Sequence, residues 1–168
     1  MEKIASFQMD HTKLLAGLYV SRTDKFGDTC ITTMDMRFKM PNREPVMDMP
    51  VMHTLEHLCA TFLRSHKVWS QKIIYFGPMG CRTGCYALFE GERTSAELLP
   101  LMIEMFEWLV KFEGEIPGAQ PGECGNYLEH NLNMAKFEAS KYLNVLKNAK
   151  PENLNYPVST QLKSSYTY

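Results

Sequence analysis

The sequence predicts an α+β fold: a single domain in which an antiparallel β-sheet is covered by helices on one face. Three observations lead there. The chain has 168 residues, the length of one domain. Its strand-like runs cluster around turn signals, and its helical runs are long. The two kinds do not alternate in the regular βαβ order of a parallel sheet. A hydrophobic fraction of 45% against a charged fraction of 22% is ordinary globular usage and excludes a disordered or fibrous chain.

The elements follow in order. Residues 14–22 and 30–40 read as two strands of a hairpin joined by the polar turn 23–28, with Ile31, Thr33, Asp35 and Arg37 on one side of the second strand. Pro41 and Pro45 break that run. Asp48 and Pro50 then supply start signals for a helix over 51–67. Residues 73–76 and 86–90 read as two further strands around a loop punctuated by Gly77, Pro78, Gly80 and Gly84. Thr94 and Glu97 have the form of a capping box, and Leu98, Met102, Met105, Phe106 and Leu109 follow at helical spacing, with Pro100 a candidate kink. A Gly/Pro loop over 114–125 carries Cys124, and the apolar spacing from Tyr127 to Leu146 predicts a third helix ending near 148. The core is expected over about 3–150, with a polar tail in coil from 151 to 168.

Eighteen Lys plus Arg balance nineteen Asp plus Glu, for a net charge of −1. No run of five like charges occurs, so a nucleic-acid partner held through phosphate contacts is not expected. Apolar stretches such as 98–103 fall far short of the ~18 residues of a membrane span. The opening residues Met1, Glu2, Lys3 and Ile4 lack a basic segment followed by an apolar run, which predicts a cytoplasmic protein. Five cysteines, an odd number, then read as thiols or metal ligands rather than a disulfide framework.

The chemistry concentrates on the first helix. His53 and His57 stand at i and i+4, where two imidazoles share one helix face and can grip one metal ion. Glu56 has the interior position of the HxxEH pattern, in which the carboxylate stays off the metal and moves protons beside it. A catalytic ion needs at least a third ligand and an open position. Cys124, in a Gly-rich turn before the last helix, is the candidate, because a helix N-terminus favours the thiolate. His11, His66 and His130 compete with it. Cys81 sits in a tight glycine-flanked loop beside Arg82, the setting of a reactive thiolate; the bland alternative is a buried small hydrophobe. Cys30 and Cys59 lie among apolar neighbours and read as packing residues.

Five ordered blocks then resemble the S-ribosylhomocysteine lyase family, the LuxS proteins that make the precursor of the signal autoinducer-2. They are Ser6-Phe7 with Asp10 to Lys13, Arg37 to Lys39 with Pro41-Asn42, His53 to His57, Pro78 to Gly84, and Cys124 to Tyr127. The resemblance implies a metal-dependent carbon–sulfur lyase of the bacterial cytoplasm, a homodimer with active sites at its interface. Its substrate would be S-ribosylhomocysteine and its products homocysteine and dihydroxypentanedione. It implies that His53, His57 and Cys124 bind one Fe2+ per subunit, with Zn2+ or Co2+ able to substitute. Cys81 and Glu56 would be the acid/base pair, and Ser6, His11 and Arg37 would bind or orient the substrate. Tyr75, Phe76, Gly77 and Cys85 depart from the family pattern around the pocket wall, and Cys85 adds a second thiol near Cys81. Two other readings remain open on the residues: an HxxEH metallopeptidase with Glu129 as a ligand, and a non-enzymatic metal or redox sensor.

Overall fold

A computed structural model of the chain describes residues 9–157; Ser6 lies outside them. The hairpin forms one side of the sheet, with β1 (Gly17–Phe26) and β2 (Thr29–Arg37) antiparallel and Gly17 opposite Arg37. Its turn is only Gly27-Asp28, with Gly27 at a φ of 59°, so the expected turn over 23–28 is corrected. The polar residues that suggested it lie on the exposed outer end of an edge strand, where both faces meet water.

After α1 (Met49–Ser65), β3 (Ile73–Pro78) and β4 (Gly84–Glu90) complete a sheet of order β1-β2-β4-β3, antiparallel throughout. β2 and β4 are central, so the loop joining β3 to β4 opens beside the end of β2, where Arg37 pairs with Gly84.

α1 starts and ends two residues before the expected 51–67, with Asp48 as its cap and Pro50 in its first turn. α2 (Ser95–Lys111) begins at Thr94, whose hydroxyl accepts the Glu97 N–H at 3.1 Å. The other half of the capping box is absent, since the Glu97 carboxylate accepts from Arg93 instead.

α3 (Leu132–Lys147) starts five residues later than the Tyr127 spacing predicted. Asn131 caps it by accepting the Met134 N–H, and Tyr127 and Leu128 lie exposed in the preceding turn. The coil expected over 151–168 is corrected at its start, residues 158–168 lying outside the described ones. Residues Pro151–Leu154 form a short helix, α4, tied to the body by Asn153 donating to the Ala16 carbonyl and Tyr19 donating to that of Glu152.

The helices cover one face of the sheet. Leu18, Met34, Met36, Ala87 and Phe89 pack there against Leu55 and Leu58 of α1, Met102 and Phe106 of α2, and Ala139 and Tyr142 of α3. The alternate strand positions, among them Thr33, Asp35, Tyr86 and Leu88, line a cavity of about 570 Å3 on the other face.

Candidate active site

α1 presents His53, Glu56 and His57 on adjacent turns, and two loops complete the site around them. One ligand atom from each of His53, His57, Cys124 and His130 falls within 4.8 Å of the others. The Cys124 sulfur lies 3.3 Å from His53 Nε2, and it accepts the Asn126 N–H. His130 stacks on His53 with ring centroids 4.1 Å apart and meets His57 edge-on at 4.9 Å.

The hydrogen bonds assign the tautomers. His53 Nδ1 lies 3.0 Å from the Glu129 carbonyl and His57 Nδ1 2.8 Å from that of Pro117. A carbonyl only accepts, so each Nδ1 carries a proton and Nε2 is the ring nitrogen left to serve as a ligand. At His130 the partner is the Thr54 hydroxyl, 3.2 Å from Nδ1. Thr54 spends its own proton on the Pro50 carbonyl and also accepts the Asn131 N–H. His130 Nδ1 is therefore a donor as well. Its Nε2 is the one buried side-chain nitrogen or oxygen without a partner among the described residues, and burial, with His53 and His57 nearby, holds this ring below its usual basicity.

Three imidazoles and a cysteine sulfur with ligand atoms this close form a donor set that fits a divalent transition metal, and Nδ1–H bonds to backbone carbonyls are the usual means of orienting such ligands. Gly118, at a φ of 75°, closes over His57; a Cβ there would stand 3.2 Å from Nδ1. Of the three histidines that competed with Cys124, only His130 joins the cluster. His66 accepts from the Val68 and Trp69 N–H groups at the end of α1. His11 bonds the Met9 carbonyl and lines the cavity on the outer sheet face. The carboxylate of Glu129 is engaged with Asn126, which leaves its carbonyl, not its acid, in contact with the site.

Cys81 is exposed on the loop between β3 and β4. That loop is rigid. Met79 and Gly84 bond across it, the Thr83 carbonyl accepts from both Phe38 and Lys39, and Arg82 takes a φ of 59°. The Cys81 sulfur lies 3.1 Å from the Thr83 hydroxyl and 3.8 Å from Arg37 Nη1, which also donates to Thr83 at 2.6 Å. Partial burial pushes this thiol up, but the Thr83 bonds and the Arg37 charge outweigh it and hold the thiol below its ordinary range.

Arg37 is 3% exposed and Asp35 1%. They sit at i and i+2 on one face of β2, and the guanidinium forks onto the carboxylate at 3.1 and 2.6 Å. The resemblance implied that Arg37 handles substrate; its observed contacts are Asp35, Thr83 and Cys81.

Glu56 is half-buried. Its charge, after burial itself, pushes up the thiol of Cys85, so the carboxylate lies within electrostatic reach of β4. Cys85 is fully buried in the core, whereas Cys81 is exposed, so the two thiols sit in different environments. Tyr75 and Gly77 are coupled: the Tyr75 ring occupies the space that a Cβ on residue 77 would fill. Phe76 belongs to the core.

The comparisons with known proteins agree in direction. The family model for S-ribosylhomocysteinase (LuxS) matches residues 4–153. The chain is 54% identical over 158 residues to the S-ribosylhomocysteine lyase of Clostridium beijerinckii, covering 94% of this chain and 99% of that one. It is 56% identical over 158 residues to that of Porphyromonas gingivalis, with the same coverage. It is 54% identical over 157 residues to that of Borreliella burgdorferi, covering 94% of this chain and all of the relative.

Proposed function

The chain belongs to the S-ribosylhomocysteinase (LuxS) family, and from that premise we propose how its residues cleave the thioether of S-ribosylhomocysteine to homocysteine and dihydroxypentanedione. The supporting observation is the combination in one family member of a His/Cys donor cluster built on α1 and the loops before α3 and a loop thiol held below its ordinary range beside Arg37.

The ring-opened substrate is an aldose with its thioether on C5. The sulfur can leave only when a carbonyl stands two carbons away, so the carbonyl must first move from C1 to C3. Each move transfers a proton between neighbouring carbons. His53, His57 and Cys124 would hold a divalent ion, Fe2+ with Zn2+ or Co2+ as substitutes, whose Lewis acidity at the sugar oxygens acidifies those C–H bonds. The Cys81 thiolate takes a proton from one carbon and returns it to the next, which needs a thiol that is ionised near neutrality. Glu56 exchanges the hydroxyl protons and takes the C4 proton in the last step, while the C5–S bond breaks and homocysteine leaves as the thiolate. No external oxidant enters, because each oxidation at one carbon is balanced by reduction at its neighbour. His11, on the cavity wall, and Ser6 would orient the substrate, and Arg37 keeps the Cys81 thiolate charged.

The metallopeptidase reading finds no support at Glu129, whose carboxylate is tied to Asn126. We read the working form as a cytoplasmic homodimer. Among the described residues no helix is long and apolar enough to cross a membrane, and light scattering at twice the 19.4 kDa chain mass tests the dimer. The product is the autoinducer-2 precursor in this reading.

The test is anaerobic incubation of iron-loaded protein with S-ribosylhomocysteine, following free thiol. Release by the wild type and a loss of at least ~100-fold in both Cys81→Ala and Glu56→Ala are expected, the scale of a lost acid/base group. No thiol from wild-type protein carrying one ion per chain rejects the lyase reading.

A further inference from the structure

The buried ion pair behind Cys81 has a third member that comes from the far end of the chain. The Tyr156 hydroxyl, just beyond α4, donates to Asp35 Oδ2 at 2.8 Å. That is the same oxygen that accepts Arg37 Nη2 at 2.6 Å. The Tyr156 ring stacks on Tyr19 of β1, with centroids 4.8 Å apart and planes within 15°, so the phenol is set from below as well as at its tip. Asp35 in turn occupies Nε and Nη2 of Arg37, which leaves Nη1 to face Thr83 and Cys81.

We propose that Tyr156 is a positioning residue for Cys81, acting through Asp35 and Arg37. This rests on the reading of Cys81 as the proton-carrying thiol.

The physical reason is charge balance around a buried ion pair. A carboxylate that receives a phenol hydrogen bond draws less on its guanidinium partner, and more of the Arg37 charge is then felt at the sulfur. Without the phenol, Asp35 neutralises Arg37 more fully and the buried carboxylate loses one of its donors. Both effects weaken the hold on the thiolate. Burial, and then Asp35, push the Tyr156 phenol far up, so it stays a donor throughout the working range. Thr83 also contacts the thiol, and Cys85 and Tyr86, which lie within reach of its charge, are themselves pushed up by burial and stay neutral near pH 7.

The experiment is the pH dependence of Cys81 alkylation by iodoacetamide in the full-length protein without substrate, read peptide by peptide by mass spectrometry. Tyr156→Phe keeps the ring on Tyr19 and removes only the hydroxyl. Its alkylation midpoint should rise by about half a pH unit, a threefold slower reaction below the midpoint. Tyr19→Phe, which loses bonds to Leu15 and Glu152 but none to Asp35, is the control for lost stability and should leave the midpoint in place. An unchanged midpoint in Tyr156→Phe overturns the proposal, as does an equal shift in both variants. Turnover retained by Cys81→Ala would count against the proton-carrier role alone, since the alkylation midpoint is read independently of it.

Discussion

Cys81 shows how one residue type acquires a function from its neighbours. A thiol with an ordinary value near 8.5 is mostly protonated at neutral pH, and partial burial on this loop works against ionisation. Thr83 and Arg37 reverse that. Since the folded protein binds the Cys81 proton more weakly than the unfolded chain, the associated stability is fully present above the unfolded value. It is lost as pH falls through the lower folded one. The rate should follow the same group, with kcat/KM rising through the folded value as the thiolate forms. Arg37→Lys keeps the charge but cannot grip both Asp35 oxygens and Thr83 at once. The acid limb of its kcat/KM profile is expected to move up by about half a pH unit, and a superimposable profile would show that the fork geometry is irrelevant. Cys81 and its glycine-rich loop were legible in the sequence. The Arg37 contact was not, because 44 residues separate the two and only the β2–β4 pairing brings them together.

Among the elements, α1 was the most legible, because two histidines at i and i+4 with an interior Glu need only helical periodicity to share a face. The third helix was misjudged at its start. The Tyr127 spacing suits a helix, yet the backbone there turns instead, which carries Cys124 and His130 to α1. Thr54 holds this junction: it is fully buried and bonds Pro50, His130 and the Asn131 N–H that opens α3. Thr54→Val keeps the shape and leaves two donors unsatisfied, at about 1–3 kcal/mol each before relaxation. We expect a lower melting temperature and a 10- to 100-fold weaker metal affinity by chelator competition. A stable variant with unchanged affinity would show that His130 needs no orienting partner.

At the scale of the molecule, the His/Cys donor cluster joins α1 to two loops that have little regular structure of their own, over 114–125 and 126–131. Stripping the ion with a chelator should lower the melting temperature, and restoring it at a thousandfold excess over its dissociation constant should return about 4 kcal/mol of stability. Hydrogen exchange should localise the loss to these loops and the start of α3, while the sheet stays protected. Uniform loosening would instead tie the ion to the whole core.

The sequence by itself determined the α+β class, the helix that carries His53, Glu56 and His57, the thiol loop, and the family. These depend on local periodicity, turn chemistry and short ordered motifs, all of which are written in consecutive residues. Tertiary structure alone decided that His130 joins the donor cluster while His11 and His66 do not, that Arg37 contacts Cys81, and that residues 151–157, expected as coil, fold back to set Tyr156 on Asp35. Each of these joins residues between 44 and 121 positions apart. Such contacts depend on strand order and on which helix face is buried, and no spacing along a single chain encodes them.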